Sequence, residues 1–127
     1  MKNAINWFEI PASDFERAVA FYQQILAKPL HREMFMGVQQ AFLPFDPQSG
    51  GVGGSIVAQQ YIENNPVIPS STGSVLYLNA DGEIDAMLER IVAAGGEIIT
   101  PATPIPPTGQ IAVFRDSEGN RIGLHQS

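Results

Sequence analysis

WFEIPASDFERAVAFY, residues 7–22, changes its hydrophobic period half-way along. Residues 5–10 read as a half-buried strand that Pro11 closes. Ser13 then opens a helix, with Glu16 three residues on to complete a capping box. Phe15, Ala18, Val19, Tyr22, Ile25 and Leu26 follow the i, i+3, i+4, i+7 spacing of one apolar stripe, and Pro29 stops it. Glu9 is the anomaly. It stands between Phe8 and Ile10, where a charge is costly to bury.

Outward from this stretch, three short strands fit residues 30–36, 38–45 and 54–59. DPQSGGVGG, residues 46–54, connects the last two. Residues 61–72 read as a linker, and then the order restarts. Residues 74–79 suit a strand. Residues 83–94 suit a helix with Ile84, Met87, Leu88 and Ile91 on one face, ended by Gly95 and Gly96. Three more strands fit 97–99, 110–115 and 121–125, the last two joined by the turn sequence DSEGN. TPATPIPPTG, residues 100–109, is too proline-rich for a sheet interior. The expected fold is therefore α+β: two tandem βαβββ modules in a single domain, 1–127. Module one is 1–60, the linker 61–72 and module two 73–127. One helix per module covers one face of a curved sheet and leaves the other face free.

A chain of 127 residues suits one domain. Thirteen acids against seven bases give a net charge of −6. No Lys/Arg track exists for phosphates, so neither nucleic acid nor an anionic membrane is an expected partner. The absence of cysteine excludes disulfides, thiolate metal sites and cysteine nucleophiles. MKNAINWFEIP lacks the apolar centre of a signal peptide and no membrane-length apolar run follows, so a cytoplasmic address is expected.

Three stretches carry a resemblance: IPASDFERAVAFY, YLNADGEIDAMLERIVAAGG and FRDSEGNRIGLHQ. Their order, and the likeness of the last to an F-x-D-P-x-G-N-x-I-E-L ending, resemble the glyoxalase/bleomycin-resistance/dioxygenase superfamily, or vicinal oxygen chelate proteins. The resemblance covers nearly the whole chain. It implies a cup-shaped mixed sheet, a small-molecule cavity that often holds a divalent metal, and pairing as a homodimer. Among its members are isomerases, dioxygenases, transferases, epimerases and metal-free drug-binding proteins.

Alternation indicates which residues face the cup, independently of the resemblance. Phe8 and Ile10 should meet the helix, leaving Trp7 and Glu9 for the cup. Leu76 and Leu78 suit the helix side, leaving Val75, Tyr77 and Asn79. Ile122 and Leu124 point inward, leaving Gly123 and His125. Ser55, Val57 and Gln59 form a further possible cup face. The positions that hold metal in the resembling family correspond to Trp7, to Val75 (Ser74 or Leu76 if the gap differs) and to Gly123. Trp7, Val75, Leu76 and Gly123 have no coordinating side chain, and Ser74 is a poor donor. The expected protein thus lacks the usual metal.

Two uses of the cup residues remain. Glu9 and His125, with an amide oxygen, could make a displaced, weak divalent-metal site. Without metal, Glu9 among aromatic rings has the setting of a general base, with His125 as acid partner. Trp7, Tyr77 and Asn79 are the expected ligand-binding wall. Glu9 reads equally as a plain hydrogen-bond acceptor, and His125 as a solvated residue near the C-terminus. His31 and Arg32 read as solvated. The proline-rich stretches read equally as lids or plain loops. Three functions follow: a cavity protein that binds, or binds and transforms, a small organic molecule; a lyase, isomerase or dioxygenase with metal at Glu9 and His125; or a non-catalytic dimeric interaction module.

Overall fold

The computed structural model describes residues 2–58, 61–62, 65–66 and 68–127. Strand β1 (Trp7–Ala12) leads into helix α1 (Phe15–Leu26), followed by β2 (His31–Phe35), β3 (Val38–Phe42) and β4 (Gly53–Ala58). The short pair β5 (Tyr61–Ile62) and β6 (Asn65–Pro66) precedes β7 (Tyr77–Asn79), α2 (Ile84–Ala93), β8 (Glu97–Pro104), β9 (Gln110–Arg115) and β10 (Arg121–Gln126). The strands form two four-stranded sheets, in orders β1-β4-β3-β2 and β7-β10-β9-β8, with the 2-stranded β5-β6 ribbon apart. Each large sheet is mixed: β1 runs parallel to β4 and β7 parallel to β10, while the remaining pairs are antiparallel. The two βαβββ modules are present, and the mixed sheet of the cup is built as two sheets.

The apolar stripes do the packing. Ala18, Val19, Tyr22 and Ile25 of α1 and Ile84, Met87 and Ile91 of α2 are buried in one core with Ile10, Ile56, Phe114 and Leu124. The helices also meet directly, where Arg90 Nε donates to the Ile25 carbonyl at 2.9 Å. No helix is long and apolar enough to cross a membrane among the described residues.

Local details depart from the sequence reading. Asp14, not Ser13, caps α1, accepting from the Arg17 N–H at 3.1 Å, so the expected Ser13–Glu16 box is replaced. Glu16 instead accepts from Arg32 at 2.8 Å. Pro11 lies inside β1 and does not close it. This is tolerated because β1 is an outer strand, where a missing N–H costs no ladder bond. For the same reason β8 continues through Pro101 to Pro104 as an edge strand with two register shifts. That part of the proline-rich stretch is therefore a strand, neither lid nor plain loop. At α2 the Gln126 side chain accepts from the Ile84 N–H at 2.9 Å, so the helix start is tied to the end of β10.

The DSEGN turn (residues 116–120) locks the modules together. Asp116 accepts from the Tyr22 hydroxyl at 2.6 Å and from the Glu118 and Asn120 N–H groups at 2.9 Å each. Asn120 reaches across to the Pro11 carbonyl at 2.8 Å. Glu118 accepts from Arg17 Nε at 2.7 Å and from the Asp14 N–H at 2.7 Å. Burial pushes the Glu118 carboxyl up, but these bonds, that from Ser117 and the Arg17 charge outweigh it and hold it below its usual value. The buried Tyr22 hydroxyl is pushed well above the ordinary phenol value, first by burial and then by the Asp116 charge. One turn of module two thus satisfies polar groups on both β1 and α1 of module one.

Candidate functional site

The helix-free faces carry the candidate site. Residue pairing in β1 and β4 sets Trp7 beside Gly53 and Glu9 beside Ser55. Pairing in β3 and β4 sets Phe42 opposite Ser55 and Gln40 opposite Val57. In β2 and β3, His31 lies opposite Phe42 and Glu33 opposite Gln40. Alternation then assigns Trp7, Glu9, His31, Glu33, Gln40 and Phe42 to one face. Arg32 confirms the other, since it meets Glu16 and lies 5.6 Å from the Phe15 ring of α1. Ser55 and Val57 are also on the helix-free face but fully buried, with Ser55 Oγ donating to Gln40 Oε1 at 3.0 Å. Gln59 lies outside the described residues.

Trp7 organises an aromatic cleft. Its ring meets Phe42 at 5.8 Å and Phe45 at 5.9 Å, both edge to face. Such contacts suit the ring quadrupoles. Gly53 makes the meeting possible: a Cβ there would come within 2.3 Å of the Phe45 ring. Trp7 remains 39% exposed. With Pro29, His31, Leu43 and Pro44, these rings line a cleft of about 440 Å³. That falls in the usual range of small-molecule sites, about 300–1,000 Å³.

Glu9 lines a second, smaller cleft of about 180 Å³ at the seam between modules. Its other walls include Ser70, Ser74, Leu76, Asn120 and Arg121. Among the described residues neither Glu9 nor Arg121 forms a salt bridge. The seam is ordered by the backbone: the Ser70 N–H donates to Asn120 Oδ1 at 3.0 Å, and the Gly123 N–H to the Leu76 carbonyl at 2.8 Å. Ser70 and its neighbours therefore run along β10 as a wall.

In module two, Tyr77 pairs with Gly123 and Asn79 with His125. Tyr77 is 49% exposed and its ring lies on Gly123, where a Cβ would come within 2.3 Å of it. Asn79 is engaged locally, accepting from the Asp81 N–H at 2.8 Å. His125 is exposed opposite Ile111 and lines neither cleft. It stands four residues beyond Arg121 on β10, roughly 13 Å at about 3.3 Å per residue. The structure therefore brings Trp7 and Glu9 together along β1, and Tyr77, Asn79 and His125 together along β7 and β10. It does not place Glu9 and His125 on one cleft.

The sequence does not single out Phe42, Phe45 or the pair formed by His31, which reads as solvated, and Glu33. Alternation in β2 would have found the last two, because Arg32 and Met34 fall on the opposite face. The two rings needed the strand register.

The sequence profile of the Glyoxalase/Bleomycin resistance protein/Dioxygenase superfamily matches residues 4–124. The chain belongs to that superfamily. Solved structures agree on the fold of this glyoxalase-superfamily chain. A glyoxalase/bleomycin resistance protein from Albidiferax ferrireducens T118 superposes with a TM-score of 0.69 at 19% identity, covering 98% of this chain and 99% of the other. A glyoxylase/bleomycin resistance protein/dioxygenase domain from Frankia sp. EAN1pec gives 0.68 at 18% identity, over 100% and 99%. Glyoxalase I from Zea mays gives 0.66 at 20% identity, covering 97% of this chain and 44% of its own. No curated protein matches the sequence.

The divalent metal common in this superfamily does not fit the residues present at its usual positions. Trp7 puts an indole in the first, Val75 an isopropyl group in the second (an isobutyl or hydroxymethyl group if the position falls on Leu76 or Ser74), and the Tyr77 ring covers Gly123 at the third. Among the described residues no group of three or more His, Cys, Asp or Glu side chains is placed to hold an ion.

Proposed function

We propose that this glyoxalase-superfamily chain binds a small, planar, largely apolar organic molecule on its helix-free face by a metal-independent mechanism. One observation carries the reading: aromatic rings stand at the first and third metal positions, and the one at the first, Trp7, lines a cleft of ligand size. Trp7, Phe42 and Phe45 supply apolar contact area, and Tyr77 is a further exposed ring on β7 of the other sheet. Glu9, two residues along β1 from Trp7, faces the neighbouring seam cleft and is the candidate proton acceptor for a ligand long enough to reach it. His125 and Asn79 lie on the helix-free face of the other sheet, outside both clefts. Asn79 holds the turn before α2.

The rival metal site at Glu9 and His125 is disfavoured by the charges: Arg121, a fixed cation, lines the cleft that Glu9 lines and His125 does not. Trp7 is the chain's single tryptophan, so its indole N–H gives one identifiable nuclear magnetic resonance signal. Titration of chelator-treated protein with 2-methoxynaphthalene is expected to move that signal in a saturable way. An unmoved signal contradicts the reading.

Self-association is part of the proposal. Met34, Phe35 and Met36 are 62%, 59% and 87% exposed at the end of outer strand β2, an apolar patch that a second copy of the chain would cover. Sedimentation equilibrium is expected to give twice the chain mass; a monomer at micromolar concentration refutes it. A cytoplasmic setting accords with a cysteine-free chain.

A further inference from the structure

We infer that His31, held by Glu33, is the polar recognition group of the aromatic cleft, and that its ligand is a planar aromatic molecule carrying a hydroxyl or ring N–H donor. The inference rests on the cleft's being a binding site. It starts from three contacts. His31 Nε2 lies 2.8 Å from Glu33 Oε1. The imidazole stacks on Phe42, with ring centres 6.0 Å apart and planes 16° from parallel. His31 itself lines the cleft beside Trp7, Phe42 and Phe45.

These contacts fix what the imidazole offers. An ionised carboxylate only accepts hydrogen bonds, so the nitrogen facing Glu33 carries the proton. In the neutral ring the other nitrogen, Nδ1, is then left as an acceptor. The stack on Phe42 sets the ring plane, and the carboxylate restrains rotation within it. Together they present one oriented acceptor among the rings of an otherwise apolar cleft. Among the cleft residues Trp7, Pro29, Phe42, Leu43, Pro44 and Phe45, the only polar side-chain group is the Trp7 indole N–H, which donates and cannot accept. A ligand donor turned toward the exposed His31 end of the cleft gains there an acceptor that no other cleft side chain offers. That asymmetry selects a flat molecule whose edge carries a proton to share, such as a phenol.

Two probes of one shape separate the claims: 2-naphthol and 2-methoxynaphthalene, which differ in having or lacking the hydroxyl donor. Each is titrated into chelator-treated protein while the Trp7 indole signal is followed. The wild-type chain is expected to bind 2-naphthol about fivefold more tightly, the usual worth of one added hydrogen bond. His31→Phe keeps a ring against Phe42 and removes the acceptor. It is expected to abolish the preference, so that the two probes bind alike, and a native-like circular dichroism spectrum shows that the variant is folded. Equal affinities in the wild-type chain, or a preference that survives in His31→Phe, overturn the inference and leave the cleft as a binding site. If neither probe moves the indole signal, the cleft is not a site and both proposals fall.

Discussion

Asp116→Ala is expected to lower the stability of the folded chain by about 3 kcal/mol, as the loss of several buried hydrogen bonds from one acceptor. The Tyr22 hydroxyl, on a fully buried side chain, loses the carboxylate oxygen that it meets at 2.6 Å. The Glu118 and Asn120 N–H groups lose their turn acceptor, and Asn120, itself buried, loses part of what holds it against the Pro11 carbonyl. A buried donor left alone costs about 1–3 kcal/mol, so the orphaned phenol accounts for much of the loss. Removing that phenol as well should recover part of it. Tyr22→Phe with Asp116→Ala is expected to be less destabilised than the sum of the two single variants. Chemical denaturation of all four chains measures the coupling. Strict additivity would show that Tyr22 and Asp116 do not depend on each other in the folded state.

Trp7→Ala is expected to weaken binding of 2-methoxynaphthalene by more than about tenfold, read by calorimetry, since the variant has lost the reporter indole. The substitution removes the ring that Phe42 and Phe45 both meet edge to face. A buried aromatic contact is worth about 0.5–1.5 kcal/mol beyond its area, and the widened cleft loses apolar area as well. The cost to the fold should be small in comparison, because Trp7 lies on the helix-free face and is partly exposed. Unchanged affinity would place the ligand elsewhere. The Glu9 cleft at the module seam would then be the next site to probe.

The parts of this molecule that sequence made legible are those governed by period. The α1 stripe through Val19, Tyr22 and Ile25, and the inward Ile10, Leu78, Ile122 and Leu124, are all buried. Trp7, Glu9, Tyr77, Asn79 and His125 are exposed, whereas Ser55 and Val57, read as a cup face in the same way, are fully buried. What sequence hid are choices made between competing local partners. Ser13 and Asp14 both can cap a helix. The structure uses Asp14, while Glu118 of the distant turn takes the Asp14 N–H and Arg17. Pro11 and Pro101 read as strand breakers until the sheet order showed both strands at an edge. His31 is exposed, as it read in the sequence; what stayed hidden are its partners, Phe42 and Glu33, which only the β2–β3 register supplies. The seam cleft was invisible for a similar reason: it is made by residues distant in the chain, Glu9 from module one, Ser70 from the linker, and Ser74 and Arg121 from module two.

The metal-independent reading is tested most directly by thermal melts of the chelator-stripped protein, alone and with Mg²⁺, Mn²⁺, Fe²⁺, Ni²⁺ or Zn²⁺. A ligand present at 100 times its dissociation constant stabilises the fold by about 2.7 kcal/mol, which for a domain of this size raises the midpoint by several degrees. The account predicts that no ion moves the midpoint, because an indole and a phenol ring stand where two ligands would be. A rise with one ion that disappears in the Glu9→Gln, His125→Ala double variant would contradict it, and would make the chain a metalloprotein with a displaced site.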